Sequence, residues 1–272
     1  MKRQALLLIL VLIATHVSGL NLEPLSREFS PHGRGRQQTF RVHNNQSDEI
    51  AVRLRMFSRG LEIDGSERRE DINDEFTVFP QQMVLAPGQT QVIRVQWNGE
   101  TSVERERAFR LLVEQVPVED RRGEVDEGRD GLSLSFMYRY LASVYVTPSS
   151  AAPNVTLAEH SLGPQGTRGM DGIDAELSGV RVSGSDDRDS DVRPLALDFR
   201  NAGGRHMIVN SATVTLEYER QNGSREALEF ANEQLDVLFR RNLLAGASVR
   251  QYVPVHADID MDSLNVTYEV RQ

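Results

Sequence analysis

The side chains able to do chemistry in this chain of 272 residues are few in kind. Cysteine is absent, so neither a disulfide framework nor a thiolate metal site can form. Histidines stand at His16, His32, His43, His160, His206 and His256, and no two lie at the i, i+2 or i, i+4 spacing that puts ligands on one face. They read as surface or loop histidines rather than metal ligands. No phosphate-cradling loop, nucleophile elbow or dinucleotide glycine set occurs. Gly33-Arg34-Gly35 is a charged turn, and Asp186-Asp187 sits in a polar stretch where solvated charge, not a glycosidase pair, is expected. The residues therefore argue against an enzyme and call for no cofactor. Lys2 is the only lysine, so later cationic contacts must come from arginine, whose planar fork suits carboxylates.

The element most in need of a purpose is GLSLSFMYRYLASVYVTP, residues 131–148. Leu132, Leu134, Phe136 and Tyr138 alternate onto one face, with Ser133, Ser135, Met137 and Arg139 on the other. An ordinary strand has about five or six residues, and this alternation runs on through Ala142, Val144 and Val146. Alternation alone leaves two readings open: the ridge fills the protein's own core, or it is shared with another molecule.

The elements around it are strands of the same kind. TFRVHN (39–44), IAVRLRMF (50–57), the two halves of FTVFPQQMVLAPGQTQVIRVQW (76–97) and AFRLLVEQVP (108–117) alternate, with a turn signal at Pro87-Gly88. A charged loop is expected from Arg59 to Glu75 and another at EDRRGEVDEGRD (119–130). After SSAAPN (149–154) the pattern repeats in PLALDFRN (194–201), ATVTLEY (212–218), VRQYVPVHA (249–257) and LNVTYEVR (264–271). FANEQLDVLF (230–239) reads as a short helix or irregular loop. An all-β protein of two sandwiches is expected. Its divisions are a signal peptide at 1–19, a first domain at 20–148, a linker at 149–153 and a second domain at 154–272.

That leader, MKRQALLLILVLIATHVSG, joins a basic start to an apolar run and small residues, the layout of a secretory signal. Its apolar run is short for a membrane span, so export without membrane insertion is expected. The leader carries two basic residues and no acidic one, so its removal takes the net charge from −9 to −11. An acidic surface without a basic block argues against nucleic acid.

The stretches LNLEPLSREFSPHGRGRQQTFRVHNN, MVLAPGQTQVIRVQW and AFRLLVEQVP resemble the periplasmic chaperones of chaperone–usher pilus assembly. LALDFRNAGGRHMIVNSATV and LLAGASVRQYVPV resemble that family's second-domain strands, and the details look closer to its non-classical branches. The resemblance implies two immunoglobulin-like β-sandwich domains set as a boomerang. It implies capture of pilus subunits by donor-strand complementation, in which the chaperone lends a strand to an incomplete sandwich, and delivery to an outer-membrane usher. Leu132, Leu134, Phe136 and Tyr138 would enter the subunit groove. Arg139, Arg94 and Arg27 would anchor the subunit's terminal carboxylate, each having the alternative of a solvated strand-face charge or an intramolecular partner for a carboxylate. Glu106 would hold the two domains at their angle. A self-capping homodimer, or cover of the ridge by a loop, is expected for the unloaded protein, because an uncovered apolar ridge invites association. The competing readings are a pilus subunit or adhesin, and a periplasmic carbohydrate-binding module or hydrolase.

Overall fold

The computed structural model describes residues 19–72, 74–117, 136–163 and 192–272. Residues 1–18 of the expected leader, the loop at 119–130, and Leu132 and Leu134 lie outside the described residues. Two hydrophobic cores organise the rest, one drawing on residues from Leu20 to Val146 and one on residues from Leu195 to Ile259.

The first half comprises β1 (Leu20–Glu23), β2 (Ser26–Phe29), β3 (Gln37–Asn44), β4 (Ile50–Leu61), β5 (Glu67–Asp71), β6 (Phe76–Phe79), β7 (Gln82–Leu85), β8 (Thr90–Trp97), β9 (Arg107–Val116) and β10 (Arg139–Val146). One sheet runs β1-β3-β8-β6 and its partner β2-β10-β9-β4-β5, with β7 also on β4. The chain thus crosses from one sheet to the other between β1 and β2, and β2 joins β10 in parallel. Alternation decides what lies between the sheets: Phe40, Val42, Ile93, Val95, Trp97, Phe109, Leu111 and Val113 are buried. Phe29, Phe76, Trp97 and Phe109 meet edge-on or tilted at centroid distances of 4.9–5.7 Å, the arrangement aromatic quadrupoles favour. At the turn between β7 and β8, Pro87 precedes Gly88 at φ +72°, and the Gln89 amide donates to the Ala86 carbonyl at 3.0 Å. That is the pattern a type II turn demands of Pro-Gly.

The second half contains β11 (Val155–Leu162), β12 (Val192–Asn201), β13 (Met207–Ile208), β14 (Ser211–Glu219), β15 (Arg225–Ala231), β16 (Asn242–Leu243), β17 (Ser248–His256) and β18 (Asn265–Arg271). They form sheets β11-β12-β17, β15-β14-β18 and a short pair β13-β16 around Leu195, Leu197, Phe199, Val214, Leu216 and Leu235. All eight pair antiparallel, and the two halves are immunoglobulin-like sandwiches. FANEQLDVLF is the end of β15 followed by a single 3-10 turn at Asn232–Gln234, so no α-helix forms there.

Two expectations need correction. The stretch from Arg59 to Glu75 is not one loop: β4 continues to Leu61 and β5 pairs back on it, Phe57 with Asp71 and Leu61 with Glu67. Strand β5 reads ERRED and has no apolar alternation to reveal it; its neighbours are ions, Arg55 with Asp71 at 2.5 Å and Arg59 with Glu67 at 2.7 Å. Second, β10 starts at Arg139, and Phe136–Tyr138 are not in regular strand. The described part of the long run is thus of ordinary strand length.

Candidate functional site

Strand β10 lies beside β9 along its whole length, Arg139 opposite Glu114 and Val146 opposite Arg107. On its other side β2 covers only Ser143–Val146. Arg139–Ala142 therefore form an edge with no strand beside it among the described residues. The direction of the backbone groups follows from two bonds: the Gln115 amide donates to the Tyr138 carbonyl at 2.9 Å, and the Ser143 amide donates to the Leu25 carbonyl at 2.8 Å. Even-numbered residues thus face β9, and Arg139 and Leu141 direct N–H and C=O at the open edge. Such an edge is a template for another strand. Phe136 is 69% exposed, and Met137 and Leu25 are also exposed. Tyr138 behaves differently, packing against the first core with its ring over Gly19, which has no side chain to obstruct it. The described half of the expected ridge thus divides: Phe136 projects outward, and Tyr138 turns in.

The odd-numbered face of β10, Arg139, Leu141, Ser143 and Tyr145, belongs to a mostly polar cross-strand ladder. Arg139, Glu114 and Arg53 stand abreast on β10, β9 and β4, and Glu114 binds Arg53 at 2.7 Å and Arg139 at 2.9 Å. Arg139 is therefore an intramolecular partner of a carboxylate, the alternative kept open for it. Further along, Ser143 is abreast of Arg110, which reaches its hydroxyl at 2.6 Å. Arg110 also binds Glu67 at 2.5 Å, and Arg59 donates at 3.0 Å to the hydroxyl of Tyr145. This end of the ladder meets the second half of the molecule. Asn242 donates to the Tyr145 hydroxyl at 2.6 Å, and the Tyr145 ring stacks on His206 at 4.0 Å and 12°.

Glu106 stands at the same boundary. Its buried carboxylate accepts from the His206 amide at 3.1 Å, pairs with His206 Nδ1 at 2.7 Å and accepts from the Thr147 hydroxyl at 2.8 Å. The Glu106 amide donates to the Gly204 carbonyl at 2.8 Å, and Arg205 pairs with Glu28. The β4–β5 hairpin makes a second bridge: Leu61 packs on the second core and the Ile63 carbonyl accepts from the Arg250 amide at 2.6 Å. A cavity of about 340 Å³ opens between the halves, its walls including Arg59, Leu61, Glu106, Phe109 and Gly246.

The three arginines expected to work together are apart. Arg94 points outward from the other sheet, abreast of exposed Phe79, and Arg27 lies on β2 with its Nε buried and lacking a hydrogen-bond partner among the described residues. The arginines that do converge, Arg59 and Arg110, escaped sequence reasoning. Alternation in AFRLLVEQV places Arg110 on the polar face, but nothing in β5 announced the carboxylate waiting there. His206 and His256 are buried: His206 stands in the loop between β12 and β13, and His256 ends β17 with a 2.7 Å bond to the Tyr218 hydroxyl, so the surface-or-loop reading fails for His256 alone. Among the described residues no group of histidine and acidic side chains could hold a metal ion.

The carboxylates of this face are charged. For Glu114 and Glu67 burial works to raise the pKa, and the hydrogen bonds and charges of Arg53 and Arg139, or Arg110 and Arg59, hold it below the ordinary 4.5. A folded-state value below the unfolded one stabilises above the unfolded value and is lost as pH falls through the folded one. Stability is therefore expected to decline below about pH 4.5, with Glu114→Gln giving a flatter profile than the parent when urea midpoints are compared between about pH 6 and 3.

The sequence profile of the pili and flagellar-assembly chaperones, PapD N-terminal domain, matches residues 30–151. That segment belongs to the PapD-type pilus-chaperone family. The PapD-type domain thus contains β3 to β10 and the open edge. Over the whole chain the class 5 fimbriae chaperone CfaA aligns with a TM-score of 0.50 at 13% identity, covering 93% of this chain and 100% of that one. A chain of the chaperone–tip adhesin complex of CFA/I fimbriae biogenesis aligns with a TM-score of 0.50 at 12% identity, over 93% and 99%. The CsuC–CsuE chaperone–tip subunit complex of Acinetobacter baumannii gives 0.47 at 11%, over 92% and 98%. At such identities the likeness to CfaA is one of fold, the two-domain PapD-like architecture. No curated protein matches the chain by sequence.

Proposed function

We propose that this protein is a pilus-subunit chaperone that captures incomplete subunits by lending them the edge of β10 and the apolar side chains leading into it. The observation that carries the reading is the open edge at Arg139 and Leu141 beside exposed Phe136. A sandwich missing a strand has the complementary defect, unpaired backbone groups along an apolar groove. Each large apolar side chain buried on capture contributes roughly 1.5–3 kcal/mol before ordering costs, so Leu132, Leu134 and Phe136 together suffice to hold a subunit. No cofactor is needed, because the free energy comes from strand pairing and burial, and a later exchange of strands drives release.

In this reading residues 1–19 direct export to the periplasm, residues 149–153 link the two domains, and an outer-membrane usher receives the loaded chaperone. Glu106 fixes the domain angle, and the exposed ridge of the unloaded chaperone is covered by self-association. Co-expression in the periplasm with the pilin-like proteins encoded beside it, followed by purification through a tag on this chain, tests the proposal. A stable one-to-one complex is expected. Recovery of the tagged chain alone, with those pilins folded in its absence, would favour a binding module instead.

A further inference from the structure

The chain is acidic, with a formal net charge of −9, yet one surface of it is basic. On β10, β9, β4 and β5 the side chains turned away from the first core include Arg139, Arg110, Arg53, Arg55, Arg59 and Arg69, against the carboxylates Glu114, Glu67 and Asp71. Exposure widens the difference. The side chains of Arg139, Arg53, Arg55 and Arg69 are each at least 44% exposed, whereas Glu114 and Glu67 are sunk to 8% and 22%, and Asp71 alone of the three carboxylates is exposed. Exposed cations in such excess make a local positive field that attracts and orients acidic surfaces within about a Debye length, ~10 Å at 0.1 M salt.

Beneath the guanidinium groups the face is apolar. Leu112 is buried but belongs to neither core; it stands between Leu141 on β10 and Arg55 on β4, whose guanidinium lies 5.0 Å over the Phe57 ring. The arginine stems thus cover apolar side chains while their charges stay in water. Next to Arg53, where β7 joins β4, a hollow of about 350 Å³ opens, its walls including Ala51, Val84 and Val116, and Val84 is exposed. An apolar hollow beside arginine is the composition of a protein-binding surface, in which a few apolar anchors and arginines carry most of the affinity.

This face is continuous with the open edge. Arg139 belongs to both, and the opposite side of the sheet is filled by the first core, so a molecule whose strand pairs with β10 gains further contact with this sheet across the arginines, whichever way its strand runs. We propose that the outward face of β10, β9 and β4 is a second docking surface for the captured subunit and takes an acidic patch of the subunit's body: side-chain carboxylates pair with Arg53 and Arg55, and an apolar side chain enters the hollow at Val84. The inference rests on the strand-capture reading above and adds to it the class of subunit selected. Subunits with an acidic surface beside the groove are favoured, and basic ones are repelled.

The test measures how fast the tagged full chain captures a co-expressed pilin-like subunit that has been freed from the complex in urea and diluted into the chain, at salt concentrations from about 0.05 to 1 M. Arg53→Gln combined with Arg55→Gln is expected to slow capture about tenfold at the lowest salt, and the difference from the parent is expected to vanish at the highest. Arg55→Gln alone breaks only the exposed pair with Asp71 and is expected to give part of the same slowing, so loss of the Arg53–Glu114 pair does not confound the result. Val84→Asp is expected to speed release of the subunit about tenfold. Arg225→Gln, the same loss of charge at an exposed position of the second half, is expected to match the parent. Equal slowing by Arg225→Gln, or parental rates of capture and release in all the face variants, would overturn the docking surface and leave strand capture standing. Failure of the parent to capture the subunit at any salt concentration would overturn strand capture and the docking surface with it.

Discussion

Glu106→Ala is expected to destabilise the protein by about 3 kcal/mol or more. The carboxylate has three donors, the His206 amide, the His206 ring and the Thr147 hydroxyl, and its side chain is 1% exposed. Removing it leaves the His206 groups buried without an acceptor, at about 1–3 kcal/mol for each unsatisfied donor. The loss falls on the boundary between the two sandwiches, because His206 also stacks on Tyr145, which Asn242 holds from the second half. The change should appear as a lower urea midpoint and as faster hydrogen exchange at the Glu106 and Gly204 amides. A shift within about 0.5 kcal/mol, the range of an ordinary surface substitution, would mean that Glu106 has no such role.

The second large effect concerns function alone. Leu134→Asp combined with Phe136→Asp is expected to abolish recovery of pilin-like subunits, while the midpoint of unfolding stays within about 0.5 kcal/mol of the parent. Phe136 is exposed and touches neither core as a buried member, so its replacement leaves the fold without a cavity. In a subunit groove two buried charges without partners cost several kcal/mol each and cancel the apolar contribution of the ridge. Measurement of co-purified subunit per tagged chain decides the matter. Normal yield from the folded double variant would remove the ridge from the mechanism.

How far the sequence announced these features depends on whether burial or charge organises them. Strands β3, β4, β8, β9, β12, β14, β17 and β18 all lie under stretches recognised from alternation, because each has one face in a core or, for β18, packed against one through half-buried Val266 and Val270, and a period of two marks such a face. Strand β5 has no buried face, and the ion pairs that align it with β4 join residues whose sequence spacing implies no pairing. The same blindness hid the cluster of Arg59 and Arg110 around Glu67. Arg59 was read as the start of a loop, and Glu67 as one acid among many in a charged run. Arg139 shows the limit in reverse: its face was legible from parity, but the cross-strand neighbour that occupies it, Glu114, depends on a register that only the fold supplies. Glu106 was singled out through a likeness, and its partners in the second half, His206 and Gly204, come from sequence about 100 residues away.

Subunit capture requires that β10 share its free edge. Hydrogen exchange of the Arg139 and Leu141 amides, compared in the purified chain and in its complex with a co-expressed pilin-like subunit, addresses that point. These amides face away from β9, so in the unloaded monomer they should exchange rapidly, and in the complex they should be protected to the level of the neighbouring Tyr140 and Ala142 amides. Rapid exchange at Arg139 and Leu141 in an intact complex would contradict strand capture at this edge and place the subunit elsewhere on the molecule.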